Sequence, residues 1–130
     1  MLKTKTITTD KATLLVCELP KGITEVTNTG KRLAIPDRKG GHHFVYGNWQ
    51  LIGRLPDITE EQAKLILPDY HTERLYATES IYDLLKANEV YFENPYRDPG
   101  LIPSAELNVY RKAQQNVFDI NRTYLYIKVD

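Results

Sequence analysis

The chain has 130 residues, 42% hydrophobic and 26% charged, with 17 Lys and Arg set against 17 Asp and Glu. That length suits one domain, residues 1–130, with its own core, and a zero net charge gives no global field toward nucleic acid or membrane. A single cysteine, Cys17, excludes an internal disulfide and a cysteine-based metal cluster.

The charge is unevenly placed. Residues 1–50 carry net +4, residues 51–100 net −5 and the last thirty net +1. These are either solvated surfaces that offset one another or a basic face that meets a partner. The opening MLKTKTITTDK lacks the apolar segment of a secretory signal. No apolar run approaches the ~20 residues of a spanning helix. The sequence therefore predicts a cytoplasmic protein with no membrane partner.

Up to residue 57 the elements read as β. Thr4–Thr8 is a threonine-rich strand, and Thr13–Leu19 (TLLVCEL) is apolar on both faces, as a strand between two layers must be. Pro20-Lys21-Gly22 marks a turn. Ile23–Thr27 and Arg32–Ile35 flank Asn28-Thr29-Gly30, which reads as a hairpin connection. Phe44–Tyr46 and Trp49–Leu55 flank Gly47-Asn48, a second such signal. Period 2 puts Trp49, Leu51 and Leu55 on one face and Gln50, Ile52 and Arg54 on the other.

Beyond residue 57 the period becomes helical. In DITEEQ (57–62), Thr59 and Gln62 have capping-box spacing, and Glu60 and Glu61 fall in the first turn, where the helix dipole favours anions. The helix runs over about 60–67 and stops before Pro68. A second, over about 79–87, carries Ile81, Leu84 and Leu85 on one stripe, with Asn88 as its stop. Val90–Glu93 is a short strand, NPYRDPGLIP (94–103) a loop, and about 104–115 a third helix. TYLYIKV (123–129) alternates, with Leu125, Ile127 and Val129 on one side and Tyr124, Tyr126 and Lys128 on the other. The fold class is α+β: an antiparallel, β-rich N-terminal half, two or three short helices and a C-terminal strand.

GNWQLIG (47–53), DITEEQAKLI (57–66) and ATESIYDLLKANEVYFENPY (77–96) resemble a group of small phage and prophage proteins. The resemblance covers about the last two-thirds of the chain and excludes residues 1–40. It implies an accessory protein of a phage or mobile element in a bacterial cytoplasm, and it transfers no activity and no catalytic residue.

Three chemistries remain to be weighed. RKGGHHF (38–44) offers Gly40, Gly41, His42 and His43, with His71 elsewhere, as a ligand pocket; the P-loop spacing is absent, and adjacent histidines on a strand point apart. No metal-ligand motif, catalytic residue or cofactor is expected. Lys31, Arg32, Arg38 and Lys39 lie near Phe44 and Trp49, and cations beside aromatics on a β-surface are how single-stranded nucleic acid is held. Tyr70, Tyr96, Tyr124 and Tyr126, among nine tyrosines, suit a protein interface, and the C-terminal strand offers an edge for pairing between subunits. The leading expectation is a non-enzymatic binding module acting on a protein partner. The nucleic-acid surface and the small-ligand pocket are the alternatives.

Overall fold

The computed structural model describes residues 3–9, 11–37, 39–66, 77–93 and 117–129. In chain order its strands are β1 (Lys3–Thr8), β2 (Thr13–Glu18), β3 (Thr27–Asn28), β4 (Arg32–Pro36), β5 (His42–Tyr46), β6 (Trp49–Arg54), β7 (Tyr91–Glu93), β8 (Val117–Asp119) and β9 (Thr123–Lys128). Its helices are α1 (Glu60–Ile66) and α2 (Ala77–Ala87). β1-β2-β9-β6 form an antiparallel four-stranded sheet, β3-β4-β5 an antiparallel three-stranded sheet, and β7-β8 a parallel pair. The fold is α+β, mostly strand, with the C-terminal strand returned to the main sheet.

The apolar runs explain the layering. Alternate residues of a strand face opposite sides. Leu14 and Val16 of β2 and Leu125 of β9 join Ile81, Tyr82, Leu85, Phe92, Phe118 and Ile120 in one buried cluster beneath the helices. Leu15, Cys17 and Tyr126, from the same two strands, join Leu33, Ile35, Leu19 and Trp49 in a second cluster beneath the three-stranded sheet. The side of β9 that carries Tyr124 and Tyr126 is therefore covered by a neighbouring element.

The expected capping box of α1 is formed. Gln62 Oε1 accepts from the Thr59 N–H at 2.8 Å, and Thr59 Oγ1 accepts from the Gln62 N–H at 3.3 Å. Gln62 Nε2 also donates to the Ile52 carbonyl at 2.7 Å, which ties the helix start to β6. Gly53 permits this approach: a Cβ there would sit 3.3 Å from both Gln62 Nε2 and Ile58 Cδ1. At the end of α2 the Asn88 side chain donates to the Leu84 carbonyl, and the left-handed residue is Glu89, at φ 64°.

Several expectations are corrected. Gly47-Asn48 is not a hairpin turn, because β5 pairs with β4 and β6 with β9; at Gly47 the chain crosses from one sheet to the other. The β3–β4 hairpin exists, but β3 is only Thr27–Asn28, while Ile23 and Val26 pack half-buried against the second cluster. The period-2 assignment of β6 fails at a bulge between Leu51 and Gly53, which re-aims the side chains. Before it the assignment holds, with Trp49 and Ile52 buried in opposite clusters and Leu51 50% exposed; after it Leu55 joins the cluster of Ile52 and not that of Trp49. β9 lies between β2 and β6, so the C-terminal strand is not a pairing edge. The parallel pairing of β7 with β8 has no counterpart among the sequence expectations, because β8 has only three residues. The expected helix over 104–115 and the loop over 94–103 lie outside the described residues.

An ionic clasp joins the sheet to the turn before β9. Glu18 Oε2 accepts from the Asp119 N–H at 2.7 Å, and Glu18 Oε1 from Arg122 at 3.3 Å. Arg122 also donates to the Leu19 carbonyl and to Asp119 Oδ2. Among the described residues, no helix is long and apolar enough to cross a membrane.

Candidate nucleic-acid interface

The β4–β5 hairpin is set by its turn. The Asp37 N–H donates to the Gly41 carbonyl at 3.0 Å, and Asp37 Oδ1 accepts from the N–H groups of Lys39 and Gly41 at 2.8 and 2.9 Å. These bonds, Gly41's first, stabilise the charged carboxylate and hold Asp37 below its ordinary pKa. Gly40 has φ +85°, and a Cβ on Gly41 would meet Asp37 Oδ2 at 2.9 Å. The glycine pair is thus accounted for by turn geometry, and the stretch before His42 is a specified turn.

From this turn β5 runs with its side chains divided between two faces. His43 and Val45 stand opposite Ile35 and Leu33, whose side chains are buried beneath the sheet. His42, Phe44 and Tyr46 stand opposite Pro36, Ala34 and Arg32 on the outer face. The three rings form a row. His42 and Phe44 centroids are 6.2 Å apart with planes 14° from parallel, and Phe44 and Tyr46 centroids are 6.5 Å apart. The Arg32 guanidinium carbon lies 4.0 Å from the Phe44 centroid and 5.9 Å from that of Tyr46, within cation–π range of both. The row is open: Phe44 is 39% and Tyr46 69% exposed. Lys31 and Lys39 are exposed at the two ends of the hairpin.

Trp49 supports this row from behind. It is 4% exposed, and its indole Nε1 donates to the Tyr46 carbonyl at 3.1 Å. Gly47, at φ +130°, lets the indole in; a Cβ there would lie 2.9 Å from Nε1. Asn28 Nδ2 donates to the Trp49 carbonyl at 2.8 Å, fastening the same corner.

The sequence-based candidates thus fall into groups. Lys31, Arg32, Lys39 and Phe44 lie on or beside one hairpin, and Trp49 is a positioning residue beneath it. Tyr46 and His42 belong with them although neither is among the nucleic-acid candidates read from the sequence; i, i+2 spacing from Phe44 shows that they share its face, and only the pairing of β5 shows that this face is the outer one. His42 and His43 point apart, and among the described residues no three His, Cys, Asp or Glu side chains gather to hold a metal ion. Tyr126 is 3% exposed and Tyr124 half-buried between the sheets, so neither is laid out for a partner. Burial raises the Tyr126 hydroxyl pKa, with nearby Cys17 and Tyr124 adding to the effect. Cys17 is likewise no nucleophile, because burial, helped by Glu18, pushes its thiol up to about 12. Arg38, Tyr70, His71 and Tyr96 lie outside the described residues. Compared with family models, curated proteins and solved structures, the chain matches none.

Proposed function

We propose that this protein is a non-enzymatic binding module that holds single-stranded nucleic acid on the outer face of the β4–β5 hairpin. The observation that carries this reading is the exposed row His42–Phe44–Tyr46 with the Arg32 guanidinium laid on Phe44. Bases stack on aromatic rings and on guanidinium planes, while cations follow the phosphates. The ring spacing of 6.2 and 6.5 Å favours a single strand. Bases along each strand of a duplex are only about 3.4 Å apart, so a row of this pitch suits a drawn-out strand with splayed bases. The resemblance of its motifs to small phage and prophage proteins supports an accessory role in a bacterial cytoplasm. A protein partner bound through Tyr124 and Tyr126 is less well supported, since both lie between the sheets.

The test is a fluorescence-anisotropy titration of a labelled single-stranded oligonucleotide at several salt concentrations, with duplex of the same sequence as control. If Lys31, Arg32 and Lys39 each neutralise one phosphate, log K falls against log salt with a slope of about −2. Arg32→Ala and Phe44→Ala each weaken binding. Absence of binding at low salt, or equal affinity for duplex, contradicts the reading.

A further inference from the structure

The four edge strands of the two antiparallel sheets are treated differently. β1 carries Lys5, a usual means of blunting an edge. β3 has only two residues. β6 has its Trp49 and Ile52 carbonyls taken by the side chains of Asn28 and Gln62. β5, with sequence HHFVY, has neither Lys nor Pro nor a bulge in its register with β4, and among the described residues no strand pairs with its other side.

The hydrogen-bond phase of β5 is fixed by its ends. Asp37 N–H donates to Gly41 and Gly47 N–H to Lys31, so the bonded pairs with β4 fall at Ile35–His43 and Leu33–Val45. The N–H and C=O groups of His42, Phe44 and Tyr46 therefore point to the free edge. The Trp49 indole takes the Tyr46 carbonyl there.

We propose that β5 pairs antiparallel with β5 of a second copy of this chain across a twofold axis at Phe44. The segment is self-complementary in that register. Phe44 faces its own mate, His42 faces the mate's Tyr46, and His43 faces the mate's Val45. Aromatic pairs directly opposite each other are favourable, and no two like charges meet. Reciprocal bonds close at Phe44 and from each Tyr46 N–H to the mate's His42 carbonyl, and none needs the acceptor that Trp49 holds. The two three-stranded sheets become one six-stranded sheet, and the two aromatic rows lie side by side as one platform. In that consequence the inference rests on the nucleic-acid reading; the pairing itself does not.

The test is sedimentation of the full chain from micromolar to submillimolar concentration, with three variants. Wild type moves toward twice the monomer mass as concentration rises. Phe44→Pro removes an N–H that β4 does not use, so it stays monomeric with unchanged far-UV circular dichroism. Phe44→Cys cross-links to its mate on mild oxidation about tenfold faster than Tyr46→Cys, because only position 44 faces itself at disulfide distance; the buried Cys17 adds no background. If Phe44→Pro does not fold, the cysteine pair decides. A mass that stays monomeric throughout, or equal cross-linking at the two positions, overturns the pairing. A monomer that still binds the oligonucleotide overturns the dimer alone. A dimer that binds none leaves the pairing standing and removes the nucleic-acid reading.

Discussion

The two faces of the four-stranded sheet use alternate residues of the same strands and do different work. On the helix side, Leu14, Val16, Leu125, Phe118 and Leu85 build the larger buried cluster, with Phe92 and Phe118 rings 6.3 Å apart. On the hairpin side a smaller cluster, centred on Leu33, Ile35, Trp49 and Tyr126, supports a thin sheet whose outer surface is open. One face stores stability; the other spends its packing on holding a surface in place. Changes on the helix side should therefore unfold the whole molecule, and changes on the hairpin side should first alter the exposed row.

The largest expected effect is on the helix side. Phe118→Ala leaves a cavity in fully buried surroundings and costs about 3–5 kcal/mol. In urea titration, circular dichroism and Trp49 fluorescence should then shift together to a lower midpoint. Gly47→Ala is the hairpin-side counterpart. It forces a side chain into φ +130° and against the Trp49 indole, at a cost of about 1–3 kcal/mol. Trp49 emission should move to the red while the helical signal stays, which separates the two layers. Arg122→Ala removes donors to Glu18, Asp119 and the Leu19 carbonyl and should cost about 1–2 kcal/mol, screening at its partly exposed side chain keeping the loss small. Urea midpoints measure it, and Glu18→Gln should also lower the midpoint, because its amide keeps one acceptor oxygen but turns an NH2 toward the donor at the other position.

The smallest effect is confined to the β4–β5 turn. Asp37 has a folded pKa below its unfolded value of about 3.9, so its contribution is complete above that value and disappears as pH falls through the folded one. The protection of the Gly41 amide, relative to the intrinsic exchange rate at the same pH, should fall as pH drops below about 4 in the wild type. In Asp37→Ala the same amide should already exchange faster at neutral pH and lose that acid-dependent step.

The architecture was legible in the residues wherever a local rule acted alone. The Thr59–Gln62 box, the stripe of α2, the doubly apolar β2 and the alternation of β9 each follow from one period or one cap. Tertiary pairing overrode the rest. Gly47-Asn48 has hairpin chemistry, yet the chain uses that glycine to admit the Trp49 indole and change sheets. The bulge in β6 moved Arg54 and Leu55 to the faces opposite those that period 2 gives, and no residue type announced it. Of the candidate surface, the cations and Phe44 could be named from proximity in sequence. That Trp49 lies beneath it, and that Tyr46 and His42 complete the row, depends on which strand β5 pairs with, and pairing is a property of the whole chain.

The measurement that tests the central claim most directly is an amide chemical-shift titration of the isotopically labelled protein with a short single-stranded oligonucleotide. The account predicts shifts concentrated at Lys31–Ala34 and His42–Tyr46, fading as salt is raised, with the amides of α1 and α2 unmoved. Shifts confined to the helix side, or none at low salt, would contradict it.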